Sequence, residues 1–197
     1  MGSDVSERRQ SCDKCGFLQS QCVCPWLVQL NTDLKILVVQ DPKEAKHAKN
    51  TVALLRLALP NVKCISVTQI ASLSDLMASR WRLVFPSQSA HWIETLGAEE
   101  KSNIEGVILL DATWRKAKKW LFTEKVLQHF TCISFAQPPQ SNYAIRKAPS
   151  EQALSTLEAC SYCIEQLRGD DMQPLRNFMQ EAQTWQWRQQ PAEHKGN

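Results

Sequence analysis

The stretch that decides the fold of this chain is residues 105–120, EGVILLDATWRKAKKW. Val107–Leu110 is a short apolar run rich in branched side chains, the pattern of a strand buried on both faces. The run ends at Asp111, and Thr113 and Trp114 then precede a basic segment of good helix formers. In α/β sheets the ligand crevice lies at the carboxyl ends of the strands, which is where Asp111 falls. The stretch therefore predicts a strand, a site and a helix in succession.

Each part of this stretch also has a purely structural interpretation. Asp111 can cap the helix by accepting hydrogen bonds from the free N–H groups of its first turn. Trp114 can fill the core, and the basic residues can form a solvated helix face. Asp111, Trp114 and the basic residues lie next to one another at the end of a buried strand, and this arrangement favours a functional site over the separate structural roles. The basic residues are Arg115, Lys116, Lys118 and Lys119.

The composition suits one α/β domain with a small appendage, since the chain has 197 residues of which 43% are hydrophobic. Its 23 Lys and Arg residues exceed its 20 acids only slightly, so a nucleic-acid surface would have to come from local clustering. No apolar run approaches the ~20 residues of a membrane span, and the N-terminus lacks the apolar core of a secretion signal. We therefore expect a cytoplasmic protein with no membrane contact and no obligate protein partner.

Four cysteines near the N-terminus have the spacing C-x2-C-x6-C-x-C, which in a cytosolic chain favours metal binding over disulfides. The first pair has the spacing of a zinc knuckle, and Gly16 permits the tight turn that follows it. Four thiolates suit a closed structural Zn2+ site, with an iron–sulfur cluster or free thiols as alternatives. We expect a metal-binding segment at 1–30 and a catalytic domain at 31–197. The predicted ligands are Cys12, Cys15, Cys22 and Cys24.

Along the rest of the chain, alternating apolar strands and helices predict a mostly parallel sheet with helices on both faces. Cys160 and Cys163 fall on one predicted helix, where we expect them to be buried as small hydrophobic residues. The chain contains no P-loop, no dinucleotide turn and no nucleophile elbow, so covalent catalysis is not expected. Strands are predicted at 34–39, 64–67, 82–85, 107–110 and 131–135, and helices at 52–59, 91–96, 112–130, 151–167 and 174–190.

Two separated blocks of the chain resemble the DTW-domain family. Asp111-Ala112-Thr113-Trp114 is similar to its D-x-T-W signature, and residues 143–159 are similar to its Y-x-L-R…L-S-T-L-E-A block. Phe85-Pro86-Ser87, Pro42-x-Glu44, Asn50-Thr51 and the N-terminal cysteines also fit, in the right order over residues 12 to 165. The family usually has histidine before the proline at position 42, where this chain has Asp41, so no imidazole role is carried over there.

The resemblance implies a SPOUT-like α/β domain with a C-terminal trefoil knot, an exception to the usual unknotted rule. It also implies the activity of a tRNA-uridine aminocarboxypropyltransferase. Such an enzyme moves the 3-amino-3-carboxypropyl group of S-adenosyl-L-methionine to N3 of a tRNA uridine, here expected at position 47, and releases methylthioadenosine. Two alternatives stay open, namely a SPOUT-like RNA methyltransferase with the same donor and a zinc-stabilised RNA-binding module without catalysis.

The implied chemistry assigns roles to particular residues. The sulfonium carries three electrophilic carbons, so the product depends on which of them lies in line with the nucleophile. Uridine N3–H is a weak acid that needs a base, and Asp111 is the candidate, either as that base or as an electrostatic partner of the sulfonium. The expected catalytic residues are Asp111, Thr113 and Trp114. The expected donor-binding residues are Ser87, Leu110, Asp111, Tyr143, Ile145, Arg146, Leu154, Thr156 and Glu158, with Arg146 on the methionyl carboxylate. The expected tRNA contacts are Arg115, Lys116, Lys118, Lys119 and Lys147.

Overall fold

A single parallel sheet organises the computed structural model, which describes residues 10–47, 50–142 and 154–189. Its strands are β1 (Lys35–Gln40), β2 (Lys63–Ser66), β3 (Trp81–Val84), β4 (His91–Trp92), β5 (Gly106–Asp111) and β6 (Thr131–Ser134). They lie in the order β2-β1-β5-β3-β6-β4, and every neighbouring pair is parallel. The strand that ends in Asp111 therefore lies inside the sheet, between β1 and β3.

Helices cover both faces of this sheet. They are α1 (Pro42–Ala45), α2 (Thr51–Ala58), α3 (Ala98–Asn103), α4 (Trp114–Thr123), α5 (Thr156–Arg168) and α6 (Gln173–Gln186). Alternate side chains of β5 enter two separate apolar clusters, with Val107 and Leu109 on the side of α2, α5 and α6. Ile108 enters the cluster on the side of α4. The prediction of a parallel sheet buried on both faces is confirmed, because side chains of a strand alternate between its faces.

The first residue of β5 shows how closely its neighbours approach. A Cβ at Gly106 would lie 2.7 Å from both the Lys35 carbonyl oxygen and the Trp81 ring. Only glycine therefore lets β1 and β3 close on β5 at this point.

The helices predicted at 112–130 and 91–96 differ from the structure. The helix expected to run to residue 130 ends at Thr123, and a 3₁₀ helix follows at Lys125–His129. Gln128 donates from Nε2 to the Phe122 carbonyl at 3.1 Å, which gives a carbonyl group in the last turn of α4 a hydrogen-bond partner. Leu127 is fully buried in the core. The helix predicted at 91–96 is wrong, since His91 and Trp92 pair with β6 and only Ile93–Thr95 forms a 3₁₀ turn.

The start of α5 is set by a local hydrogen-bond motif. Ser155 caps the helix in a reciprocal capping box with Glu158, so the helix expected from residue 151 begins at Thr156. Cys160 and Cys163 on this helix are both fully buried, as predicted. Burial raises the pKa of each of these thiols, which suits a packing role.

The cysteine segment packs against the C-terminal helix. Val23 is fully buried in the same apolar cluster as α5 and α6, and the Trp26 and Trp185 rings lie 5.6 Å apart. The division into units at 1–30 and 31–197 stays a prediction. Within the described residues, none of the helices combines the length and apolar character needed to cross a bilayer.

Candidate active site

A cleft of about 430 Å³ lies at the carboxyl ends of β3, β5 and β6, a size typical of small-molecule sites. This is the edge of the sheet at which the sequence placed a ligand crevice. Its walls are mainly apolar and aromatic, with a hydroxyl from the start of α5 on one side. The lining includes Phe85, Pro86, Leu110, Ala112, Trp114, Ser134, Phe135, Pro138, Leu154 and Thr156.

Asp111 is held in a fixed position at this edge. Thr156 donates from Oγ1 to Asp111 Oδ1 at 2.6 Å, and Gln40 donates from Nε2 to Oδ2 at 2.8 Å. The N-cap of α4 is Thr113, so the expected capping role does not belong to Asp111. The contact with Thr156 joins the two sequence blocks at one point of the fold.

Trp114 lies at the rim of the cleft instead of filling the core. Its side chain is 44% exposed, and its ring centroid is 5.9 Å from that of Phe85 at a tilt of 50°. The buried residues of α4 are Ala117 and Trp120, which anchor the helix to the sheet. Trp114 is therefore free to present a flat face to a ligand.

An ion pair that sequence analysis missed fixes the first turn of α4. Lys116 Nζ lies 2.8 Å from Oδ2 of Asp41, a residue that is 7% exposed and directly follows β1. Asp41 also caps α1 by accepting from the Lys43 N–H at 2.8 Å, and its own N–H donates to the Asp111 carbonyl. Burial opposes ionisation of Asp41, but the hydrogen bonds from Lys116 and Lys43 outweigh it and lower the pKa of this carboxyl. The sequence signal that could have identified Asp41 is an acidic residue at the end of a predicted strand, the same pattern that identified Asp111.

The remaining cations of α4 face outward. Arg115, Lys118 and Lys119 are exposed, and no carboxylate in the described part of the chain forms an ion pair with them. Of the tRNA contacts expected on this helix, Lys116 thus differs from the other three, since its ammonium already has a protein partner.

Glu158 joins the start of α5 to the loop that follows β6. It is 3% exposed, and its carboxylate accepts from the Ser155 N–H at 2.8 Å, the Asn142 N–H at 2.7 Å and the Ser141 hydroxyl at 2.9 Å. These contacts give it a structural role that sequence analysis missed, for which the available signal was the S-x-x-E spacing of a capping box. Its expected role in donor binding stays a prediction.

A second carboxylate holds the other end of that loop. Glu94 accepts from the N–H groups of Ala136 at 3.0 Å and Gln137 at 3.1 Å, and from the Tyr162 hydroxyl at 2.8 Å. Partial burial opposes ionisation of Glu94, but the two backbone donors and the hydroxyl outweigh it and lower its pKa. Burial and the bond to Glu94 raise the pKa of Tyr162. No motif marks either residue, and only the fold brings them together.

The other expected donor-binding residues divide into two groups. Leu110 and Leu154 line the cleft, and Ser87 lies beside the cleft residue Pro86, with its Oγ 3.5 Å from that of Ser89. Three further donor-binding residues lie outside the described residues, namely Tyr143, Ile145 and Arg146, and so does the expected tRNA contact Lys147. The roles of all four stay predictions.

The four N-terminal cysteines converge on one point. Their sulfur atoms all lie within 4.8 Å of one another, with Cys12 and Cys24 at 3.6 Å and Cys15 and Cys22 at 3.8 Å. A Zn–S distance of about 2.3 Å gives a tetrahedron whose edges are about 3.8 Å, so the sulfur positions fit a metal ion. Gly16 has φ +74°, which confirms the predicted tight turn.

The electrostatics of this cluster also suit a cation. Backbone N–H groups of Cys15 and Lys14 lower the pKa of Cys12 to about 6. Desolvation and the neighbouring thiols raise the pKa of Cys24 to about 12, because adjacent thiolates repel one another. A divalent ion would remove that repulsion, so the cluster could hold a metal.

The fold and these sites define a class of protein, a parallel α/β domain with a strand-end ligand cleft and a four-cysteine centre. The DTW domain profile matches residues 9–186, and the chain belongs to the DTW-domain family. This confirms the family resemblance stated from the sequence.

Curated relatives carry one shared description. The chain is 26% identical over 189 residues to tRNA-uridine aminocarboxypropyltransferase 2 of Macaca fascicularis, an alignment that covers 91% of the chain and 61% of that protein. It is 28% identical to the Mus musculus protein of the same name, over 81% of the chain and 57% of the relative. The Drosophila melanogaster relative of that name is 27% identical, over 83% and 69% respectively. The chain thus spans about 60% of the length of the two mammalian relatives, and no solved structure matches it significantly.

Proposed function

We propose that this chain is a tRNA-uridine aminocarboxypropyltransferase that uses S-adenosyl-L-methionine as donor and modifies uridine N3, at position 47 in the variable loop. The observation that carries the proposal is the hydrogen bond between the Asp111 carboxylate and Thr156, a residue that lines the strand-end cleft, because this contact is where the two family blocks meet. Family membership and the names of the relatives support it. A SPOUT-like topology with a C-terminal knot and a cytoplasmic location belong to the same proposal.

The cleft has a chemistry suited to the donor. Its walls offer the apolar side chains of Leu110 and Leu154 and the aromatic rings of Phe85 and Trp114, which suit a flat, largely apolar nucleoside. Asp111 lies between the cleft residues Leu110 and Ala112, and its carboxylate would attract the positive sulfonium. At about 4 Å and an effective dielectric of about 20, a carboxylate attracts a unit positive charge by about 4 kcal/mol.

Of the two roles considered for Asp111, the geometry favours the electrostatic one. Thr156 and Gln40 each donate to one oxygen of this carboxylate, which holds it as a fixed group that can face the positive sulfonium. In the reaction, uridine N3 attacks the methylene carbon of the aminocarboxypropyl arm and the carbon–sulfur bond breaks. Its electron pair goes to sulfur, which leaves as neutral methylthioadenosine, and the N3 proton goes to a base or to water. The site's task is to aim the arm, and not the methyl group, at the uridine.

The four cysteines would hold a structural Zn2+. Four thiolates would fill the four positions of a tetrahedral ion, which would leave no open position for a substrate. The segment packs on α6 through Trp26 and Trp185, so the metal would stabilise the fold at a distance from the cleft.

Product analysis tests the proposal directly. Purified protein is incubated with S-adenosyl-L-methionine and unmodified tRNA. The nucleoside products are then separated, and their masses are measured by mass spectrometry. Methylthioadenosine and a uridine heavier by the aminocarboxypropyl group are expected. S-adenosylhomocysteine with methylated RNA would instead identify a methyltransferase. Absence of both products, with no donor binding by calorimetry, would identify an RNA-binding module. Asp111→Asn serves as the matched inactive control.

A further inference from the structure

The outer face of α4 presents an unusual arrangement of side chains. Trp114, Lys118 and Phe122 are spaced four residues apart and therefore form one row along the helix. The row is about 12 Å long, since the helix rises about 1.5 Å per residue. Trp114 is 44% exposed and Phe122 is 68% exposed, so each end of the row is an aromatic ring open to solvent.

Packing against the described residues does not explain the position of Phe122, because the residue is 68% exposed. The helix is anchored by Ala117 and Trp120, which are buried on the opposite side. Only five large hydrophobic side chains are exposed in the described part of the chain, and two of them, Trp114 and Phe122, lie on this one face. Grouped exposed aromatic residues are typical of a binding surface.

The charge of the same face is uniformly positive. Residues 114–123 contain four cations and no acid, and Arg115 and Lys119 lie beside the aromatic row. Lys116 is the cation that pairs with Asp41, and it leaves this face to do so. Arg115, Lys118 and Lys119 are exposed, and the structure pairs none of them with a carboxylate of the described residues. A protein partner would have to be strongly acidic, whereas RNA offers phosphates and flat bases together.

We propose that this face of α4 is a platform for a single-stranded RNA segment, which deepens the proposed function by assigning the nucleotides beside the target uridine to it. Bases stack on Phe122 and Trp114, and phosphates contact Arg115, Lys118 and Lys119. A duplex cannot supply stacking partners, because its bases are already stacked on one another. Trp114 belongs both to the row and to the rim of the cleft, so the row leads the RNA strand into the cleft.

The test measures RNA binding without the donor. A labelled mixed-sequence RNA oligonucleotide is titrated as a single strand and as a duplex. Phe122→Ala should weaken single-strand binding about tenfold and leave duplex binding nearly unchanged, while Phe122→Trp should restore it. Leu18→Ala is the matched control, because Leu18 is 39% exposed on the cysteine segment, across the sheet from α4.

The charges are tested by salt dependence. The slope of log affinity against log salt should fall by about 0.7 for each of Lys118→Ala and Lys119→Ala. Lys101→Ala, on α3, should leave the slope unchanged. The platform would be overturned if Phe122→Ala bound single-stranded RNA as tightly as the unchanged protein does. It would also be overturned if the substitution weakened binding of duplex RNA as much as binding of single-stranded RNA.

This experiment separates the two proposals. RNA binding that depends on Phe122, in a protein that makes no methylthioadenosine, would support the platform and refute the transferase. Conversely, if Phe122→Ala carries out the transfer with the same KM for tRNA as the unchanged protein, the platform alone is refuted. Self-association or protein capture that depends on Phe122, without RNA binding, would also overturn it.

Discussion

The ion pair between Asp41 and Lys116 gives the sharpest prediction about how the site is held. It joins the end of β1 to the first turn of α4, and the Asp41 N–H binds the Asp111 carbonyl beside it. We consider Lys116→Met, Asp41→Asn and the double variant. Lys116→Met leaves a buried carboxylate with one fewer donor, whereas Asp41→Asn keeps the cap on α1, since asparagine caps as well as aspartate.

The magnitudes follow from this asymmetry. Removing one partner of a fully buried pair costs about 3–5 kcal/mol, but the Lys116 side chain is 36% exposed, so we expect about 2 kcal/mol for Lys116→Met. Asp41→Asn should cost about 1 kcal/mol, because the freed ammonium can turn into water. The double variant should cost about 1.5 kcal/mol, which makes the coupling energy about 1.5 kcal/mol.

The coupling should also depend on pH. The pKa of Asp41 is lowered in the folded protein, so its stabilising contribution is fully present above the unfolded pKa of about 3.9. That contribution is lost as the pH falls through the folded pKa. The stability difference between the unchanged protein and Asp41→Asn should therefore shrink below about pH 4.

Urea unfolding followed by circular dichroism measures all four proteins at pH 7 and again at low pH. A coupling energy below about 0.3 kcal/mol, or one that persists unchanged in acid, would refute the argument. Activity provides a second measurement, because a displaced α4 should impair transfer through Trp114 even where the protein is fully folded.

Four further predictions concern the cleft and the metal. Asp111→Asn should lose transfer by about three orders of magnitude yet still bind S-adenosyl-L-methionine by calorimetry, and near-normal turnover would remove it from the mechanism. Thr156→Val should lower kcat about tenfold or more while Thr156→Ser retains it, because the 2.6 Å donor to Asp111 is lost only in the first; equal rates would contradict this. Cys22→Ser should lower zinc content and the melting temperature together, and full zinc occupancy in that variant would argue against the site. Glu94→Gln should cost about 1–3 kcal/mol at pH 7, with the difference from the unchanged protein shrinking in acid, since the lowered pKa makes its contribution fade as the pH falls; an effect independent of pH would be the contrary result.

Local patterns predicted the elements whose cause is local. The run 34–39 corresponds to β1 at Lys35–Gln40, shifted by one residue, because burial on both faces demands a continuous apolar run. The turn after Cys15 was predicted from Gly16, which adopts φ +74°. The helix predicted to run to residue 130 failed because side-chain packing of Leu127 and the bond from Gln128 redirect the chain, and neither effect has a periodic signature.

The sequence by itself determined the parallel sheet, the position of Asp111 at a strand end and the convergence of four thiols, since each depends on composition or spacing over a few residues. Only the tertiary structure decided which groups hold that carboxylate, because Gln40 and Thr156 are 71 and 45 residues away along the chain. It likewise decided that Lys116 pairs with Asp41 while Lys118 and Lys119 face solvent. The physical reason is that hydrogen bonds and ion pairs act over about 3 Å, so residues far apart in sequence interact only after the sheet has placed their strands side by side.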